Sequence, residues 1–163
     1  MTELKRRFQL SWDISALAAA FRVSEDDVRE YLTDGRRVSF IIERRLAWDH
    51  PGWNLAPSEG AGYDLVDPDG EKWEVRSITR GGIYFNPSAQ VGSGRAFEES
   101  GFIRKLESIK GFILSDITMF PDVEIYVVPV QNVFRWYSRG MLGSNAKVSR
   151  DRFIERLAID IVY

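Results

Sequence analysis

Between residues 14 and 32 the apolar positions recur at helical spacing in two short runs separated by a tight break. Leu17, Ala20, Val23, Val28, Tyr31 and Leu32 fall where a helix-turn-helix packs its two helices together. Ser24 is placed to cap the second helix, and Glu25, Asp26 and Asp27 follow in its first turn, where the helix dipole favours acidic side chains. After the Asp34-Gly35 break, residues 38–48 predict a third helix. Phe40, Ile41, Ile42, Leu46 and Ala47 supply its apolar positions, and Glu43, Arg44 and Arg45 its charged ones. A stretch rich in Pro and Gly, residues 50–62, ends that helix and reads as a loop.

Beyond it the period changes from helical to two. Residues 63–66 and 72–79 predict strands, joined by the strong turn sequence Asp67-Pro68-Asp69-Gly70. Alternation places Trp73, Val75 and Ser77 on one side of the second strand and Glu74, Arg76 and Ile78 on the other. Folding back through the turn sets position 64 opposite position 73, give or take one, so Asp64 and Glu74 are expected to lie close together. Residues 81–94 form a Gly-, Ser- and Asn-rich loop, and 97–109 an amphipathic helix. Residues 111–117 and 123–130 are two core strands, 131–137 a short helix or turn, and Ser149 opens a helix with Phe153, Ile154 and Leu157 inward. The expected fold is α/β, a mixed central sheet flanked by helices. A helix-turn-helix-like subdomain over 1–36 precedes a core over 37–163.

Composition narrows the picture. At 163 residues, with 44% hydrophobic positions, the chain has room for one compact unit, and its ten Phe, six Tyr and five Trp mostly belong in a core. There is no cysteine, hence no disulfide framework, thiol nucleophile or Cys-based zinc site. His50 is the only histidine, which speaks against chemistries needing two. No apolar run approaches the roughly 20 residues that span a bilayer, and a soluble cytoplasmic protein without membrane contact is the expectation. The net charge of −2 runs against a nucleic-acid partner, since such domains are often basic. Carboxylates that hold a divalent ion add to the negative count without repelling a phosphate, however, because the bound ion supplies part of the positive charge that meets it.

The stretch Gly-Tyr-Asp-Leu-Val-Asp-Pro-Asp-Gly-Glu-Lys-Trp-Glu-Val-Arg-Ser-Ile-Thr, residues 62–79, resembles the active-site hairpin of PD-(D/E)XK nucleases, and among them of type II restriction endonucleases. In that family an Asp at the end of one strand is followed across a turn by Glu-x-Lys on the next. The resemblance implies a restriction-endonuclease-like fold and Mg2+-dependent hydrolysis of phosphodiester bonds in double-stranded DNA at a short site. It also implies a homodimer whose two-fold axis sets one site on each strand. It makes Asp64 and Glu74 metal ligands, with the Val75 carbonyl completing the sphere of one or two Mg2+ ions. Glu43, on the preceding helix, matches an additional acidic residue that many members carry. Arg76 stands where the family usually has Lys. A guanidinium stays protonated, so water activation would fall to the metal, with Arg76 orienting the nucleophile or stabilising transition-state charge.

Arg80, Asn86, Ser88, Gln90, Ser93 and Arg95 lie in the loop after the second strand and are candidate DNA contacts; the same residues also suit a plain polar loop. Arg135, Arg139, Lys147 and Arg150 form a second basic stretch. Asp67 and Asp69 read as turn formers. A helix-turn-helix reading DNA would open its recognition helix with three carboxylates facing a polyanion, which favours a packing or dimerisation role for residues 14–32. Two rivals stay open: a repair or recombination nuclease of the same fold, and a non-catalytic DNA-binding regulator built on it.

Overall fold

Side-chain caps start the N-terminal helices. In the computed structural model, which describes residues 4–58, 60–91 and 94–162, Asp13 accepts from the Ala16 N–H at the head of α1 (Ile14–Phe21). Ser24 and Asp27 exchange bonds in a reciprocal capping box on α2 (Glu25–Leu32), and Asp34 caps α3 (Gly35–Asp49). Ser24 is thus the cap that its position in the sequence predicts. Val23 and Tyr31 depart from expectation: they are 46% and 54% exposed, whereas Ile14, Ala18, Val28 and Leu32 make the buried seam. Ala20 is exposed as well. α1 is too short for its whole apolar side to be covered.

The strands are β1 (Arg7–Ser11), β2 (Asn54–Leu55), β3 (Leu65–Val66), β4 (Lys72–Ile78), β5 (Ile83–Tyr84), β6 (Gly111–Asp116), β7 (Asp122–Pro129) and β8 (Lys147–Val148). Six of them build one sheet in the order β1-β7-β6-β4-β3-β2, while β5 and β8 pair separately. β4 and β6 run parallel, joined by the crossover helix α4 (Glu99–Ser108); every other pair is antiparallel. Helices α5 (Val130–Ser138), α6 (Arg150–Arg152) and α7 (Ile159–Val162) follow, with a wide helical turn at Phe153–Leu157 between the last two. The chain is therefore α/β with a mixed sheet flanked by helices.

The period-two alternation of β4 explains the layering. Trp73 and Val75, with Ile113, Val123, Ile125 and Val127, face α1, α2 and α3 in one hydrophobic core. Ile78, with Phe112, Leu114, Tyr126 and Val128, faces α4, α5 and the C-terminal helices in a second. The apolar faces of α1 and α2 thus join the same core as α3 and the sheet. Four short strands were not expected from the sequence: β5 lies inside the loop over 81–94, β8 in a stretch given no element, and two more sit in the main sheet. β1 lies inside the part read as helical and extends the sheet along β7, and β2 lies inside the loop over 50–62. Each is recognisable only through its partner, Tyr126 to Asp122 for β1 and Val66 to Leu65 for β2.

Gly111, where β6 enters beside Trp73, marks a close approach within the central sheet. A Cβ there would sit 2.3 Å from the Val128 carbonyl oxygen and 2.8 Å from the Trp73 ring. Because one of those neighbours is backbone in the central sheet, Gly111→Ala is expected to lose about 2–3 kcal/mol, read as a lower urea midpoint at unchanged slope.

Candidate active site

The turn after β3 is built by Asp67. Its Oδ1 accepts from the N–H groups of Asp69 and Glu71, its Oδ2 from the Trp73 indole, and Gly70 closes the turn with φ of 82°. The register that results pairs Leu65 with Trp73, so Asp64 stands opposite Glu74. Here β3 stops being a strand. The Asp64 N–H still donates to the Trp73 carbonyl at 2.9 Å, but the next bond of the ladder is made by a side chain, Val75 N–H donating to Asp64 Oδ2 at 2.7 Å. Among the described residues no strand pairs with the rest of β4 on this edge, and the Val75 carbonyl faces it, since the N–H and C=O of one strand residue point the same way.

The start of α3 closes the gap, held by Ser77 Oγ donating to the Gly35 carbonyl at 3.2 Å. The result is a cleft of about 580 Å³ lined by Glu43, Asp64, Glu74, Val75 and Arg76, with Arg36, Ser39, Ser88 and Arg95 among its walls. All the catalytic and metal-binding candidates named from the sequence meet there. Glu43 and Asp64 also border the adjoining depression beside Phe40 and Tyr63.

Glu74 is held by cations on both sides. Its Oε1 lies 2.8 Å from Arg76 Nη2, and its Oε2 accepts from Lys105 Nζ. The three side chains are 7%, 15% and 10% exposed respectively. Lys105 also donates to the Gly62 carbonyl, and Arg76 Nη2 to the Asn86 carbonyl at 3.1 Å. Asp64 is placed otherwise. Burial pushes its carboxyl up to about 6, the nearby Glu74 charge adds to that, and the Val75 N–H, Arg76 and Lys105 oppose it. The carboxylates therefore divide the work: Glu74 is neutralised within the protein, whereas Asp64 remains an undercompensated anion facing the cleft.

Lys105 is the residue that sequence reasoning missed. It lies on the crossover helix, 31 positions after Glu74, and its only sequence signal is a cation in an amphipathic helix. The proposed DNA-contact loop divides. Ser88 and Arg95 line the cleft, with Arg95 Nη1 donating to the Ser88 carbonyl at 2.9 Å. Arg80 lies in a separate depression with Thr33 and Thr118. Asn86 is a correction: it is fully buried, its Nδ2 donates to the Gln90 carbonyl, and it cannot meet a base unless the loop opens. Gln90 is also corrected to a structural role, because both ends of its amide are used on the Glu98 backbone, fastening the loop to the start of α4. Ser93 lies outside the described residues. In the second basic stretch, Arg150 pairs with buried Asp116, Arg135 pairs with Asp160 and Lys147 covers the Tyr84 ring, so these cations are largely engaged.

Whether this donor set suits a divalent ion can be judged from its chemistry. Among the described residues no group of three or more Asp, Glu or His stands close enough to share one ion. Asp64, Glu74 and the Val75 carbonyl do offer hard oxygens on one edge of one cleft, and the raised Asp64 is the electrostatic condition that a cation relieves. The residues fit a site with few protein ligands, as Mg2+ takes. Neither family models, curated proteins nor solved structures gave a match to this chain.

Proposed function

We propose that the protein is a metal-dependent endodeoxyribonuclease of the PD-(D/E)XK type, cutting double-stranded DNA at a short site as a restriction enzyme does. The observation that carries this reading is the opposition of Asp64 and Glu74 across the hairpin, at the point where β3 leaves β4 and opens a cleft. The order of elements supports it: α3, the antiparallel run β2-β3-β4, the crossover α4 and the parallel β6 follow one another around the hairpin.

Asp64, Glu74 and the Val75 carbonyl would hold Mg2+, with Glu43 reaching it through water. When bound, the ion supplies a hydroxide nucleophile and neutralises charge on the leaving oxygen. Arg76 keeps the Glu74 carboxylate in place from within its own strand, tied in turn to the backbone of the following loop. Arg36 and Arg95, which both line the cleft, are suited to the phosphates flanking the scissile bond. A second copy of the chain would serve the other strand of a palindrome.

Incubation of supercoiled plasmid with Mg2+ tests the reading. Discrete fragments are expected, abolished by chelator and reduced at least about 1,000-fold by Asp64→Ala, since ion and nucleophile are lost together. Uncut plasmid with retained binding overturns the nuclease in favour of a regulator, and unspecific or structure-selective cutting turns it into a repair-type enzyme.

A further inference from the structure

We infer that Lys105, reaching in from the crossover helix, is a positioning residue for the candidate metal site, fixing Glu74 relative to Asp64 so that the two carboxylates act as a pair. The inference rests on the nuclease reading above and assigns a role in it to a residue outside the hairpin motif.

Three observations carry it. First, the Lys105 ammonium bridges both arms of the hairpin: it donates to Glu74 Oε2 on β4 and to the carbonyl of Gly62, two residues before Asp64 on the other arm. A single cation thus sets the spacing of the two chain segments that bear the carboxylates. Secondly, Arg76 already pairs with Oε1 of Glu74, so a second buried cation is more than neutralising one carboxylate requires. Burying a Lys-Glu pair adds little net stability over apolar packing, because desolvation offsets the attraction. Thirdly, both contacts of Arg76 are made by Nη2, to Glu74 and to the Asn86 carbonyl, and neither reaches the Asp64 arm, whereas Lys105 holds the Gly62 carbonyl on that arm as well as Glu74. Of the two arms, position 76 therefore braces β4 alone, and Lys105 on α4 ties β4 to the other arm.

A scaffold and a positioning cation differ in what their loss does to metal binding. Lys105→Met keeps the length and apolar stem of the side chain and removes the charge. In this variant Mn2+, titrated calorimetrically into protein without DNA, is expected to bind at least as tightly as in wild type, because a cation competing for Glu74 is gone. Cleavage at saturating Mn2+ is nonetheless expected to fall about 10- to 100-fold, as when a partner that orients a ligand is lost. Lys105→Arg should recover most of that rate. A Lys105→Met protein that cuts at the wild-type rate overturns the inference. So does Mn2+ binding that weakens in step with the rate, which would make Lys105 part of the scaffold alone, and so does an Arg variant no faster than the Met one. Should Lys105→Met fail to fold, Lys105→Gln, which keeps a donor towards Gly62, serves for the same comparison. Wild-type protein that binds no Mn2+ removes the nuclease reading itself, whereas normal wild-type binding and cutting with an indifferent Lys105→Met removes only this assignment.

Discussion

Glu74→Ala is expected to cost about 3–5 kcal/mol of stability, well beyond the effect of an ordinary carboxylate deletion. The reason lies in what remains. Arg76 and Lys105, 15% and 10% exposed, both turn their charge onto Glu74, and its removal leaves two cations in a largely dry corner with backbone carbonyls as their remaining partners. Glu74→Gln should cost less, because the amide oxygen still accepts from one of the two. Urea unfolding of the three proteins without metal measures the series. An alanine variant as stable as wild type would mean that the cations reach solvent easily, and the account of Glu74 as a buried, clamped ligand would fall with it.

Asp64→Asn is expected to do the opposite. With its carboxyl at about 6 in the folded protein against an ordinary 3.8, Asp64 holds a proton in the folded chain that the unfolded chain has already released. A raised carboxyl contributes its stability at low pH and loses it as pH climbs, here across the window from about 4 to about 6. Above that window the ionised carboxylate leaves the fold worse off by about 3 kcal/mol. The asparagine has no charge to strand, and its side-chain oxygen can still accept from Val75 N–H. The variant should therefore be more stable than wild type by about 2–3 kcal/mol at pH 8 and indistinguishable below pH 4, while losing cleavage. Thermal melts across that range, with chelator present, decide it; a gain that grows towards acid pH would reverse the sign of the argument. Added Mg2+ should narrow the gap at pH 8 by stabilising wild type alone. The two carboxylates of one cleft thus respond oppositely to removal, since the charge of one is compensated by the fold and that of the other is not.

The hairpin is legible in the sequence because its determinants are short in range. A turn sequence whose Asp67 bonds its own backbone, and a strand whose faces alternate, are enough to set Asp64 opposite Glu74. The Ser24 cap and the order of helix, hairpin, crossover helix and core strands follow from equally local signals. Asn86 and Gln90 misled for a related reason. Polar amides in a Gly-rich loop look available to a ligand, but that loop folds over the second core and uses their hydrogen bonds to satisfy its own backbone.

What the sequence by itself determined, then, is the carboxylate pair and the type of fold that carries it, through turn chemistry and periodicity acting over fewer than about a dozen residues. Tertiary structure alone decided which cations besides Arg76 meet that pair. Lys105 reaches Glu74 because the crossover helix packs over β4 and β6, and Arg36 reaches the cleft because α3 begins against the free edge of β4. It also decided the outer strands: β1 is a strand because β7 offers it an edge more than 100 residues away. Contacts of that span depend on how layers stack, and no local spacing encodes them.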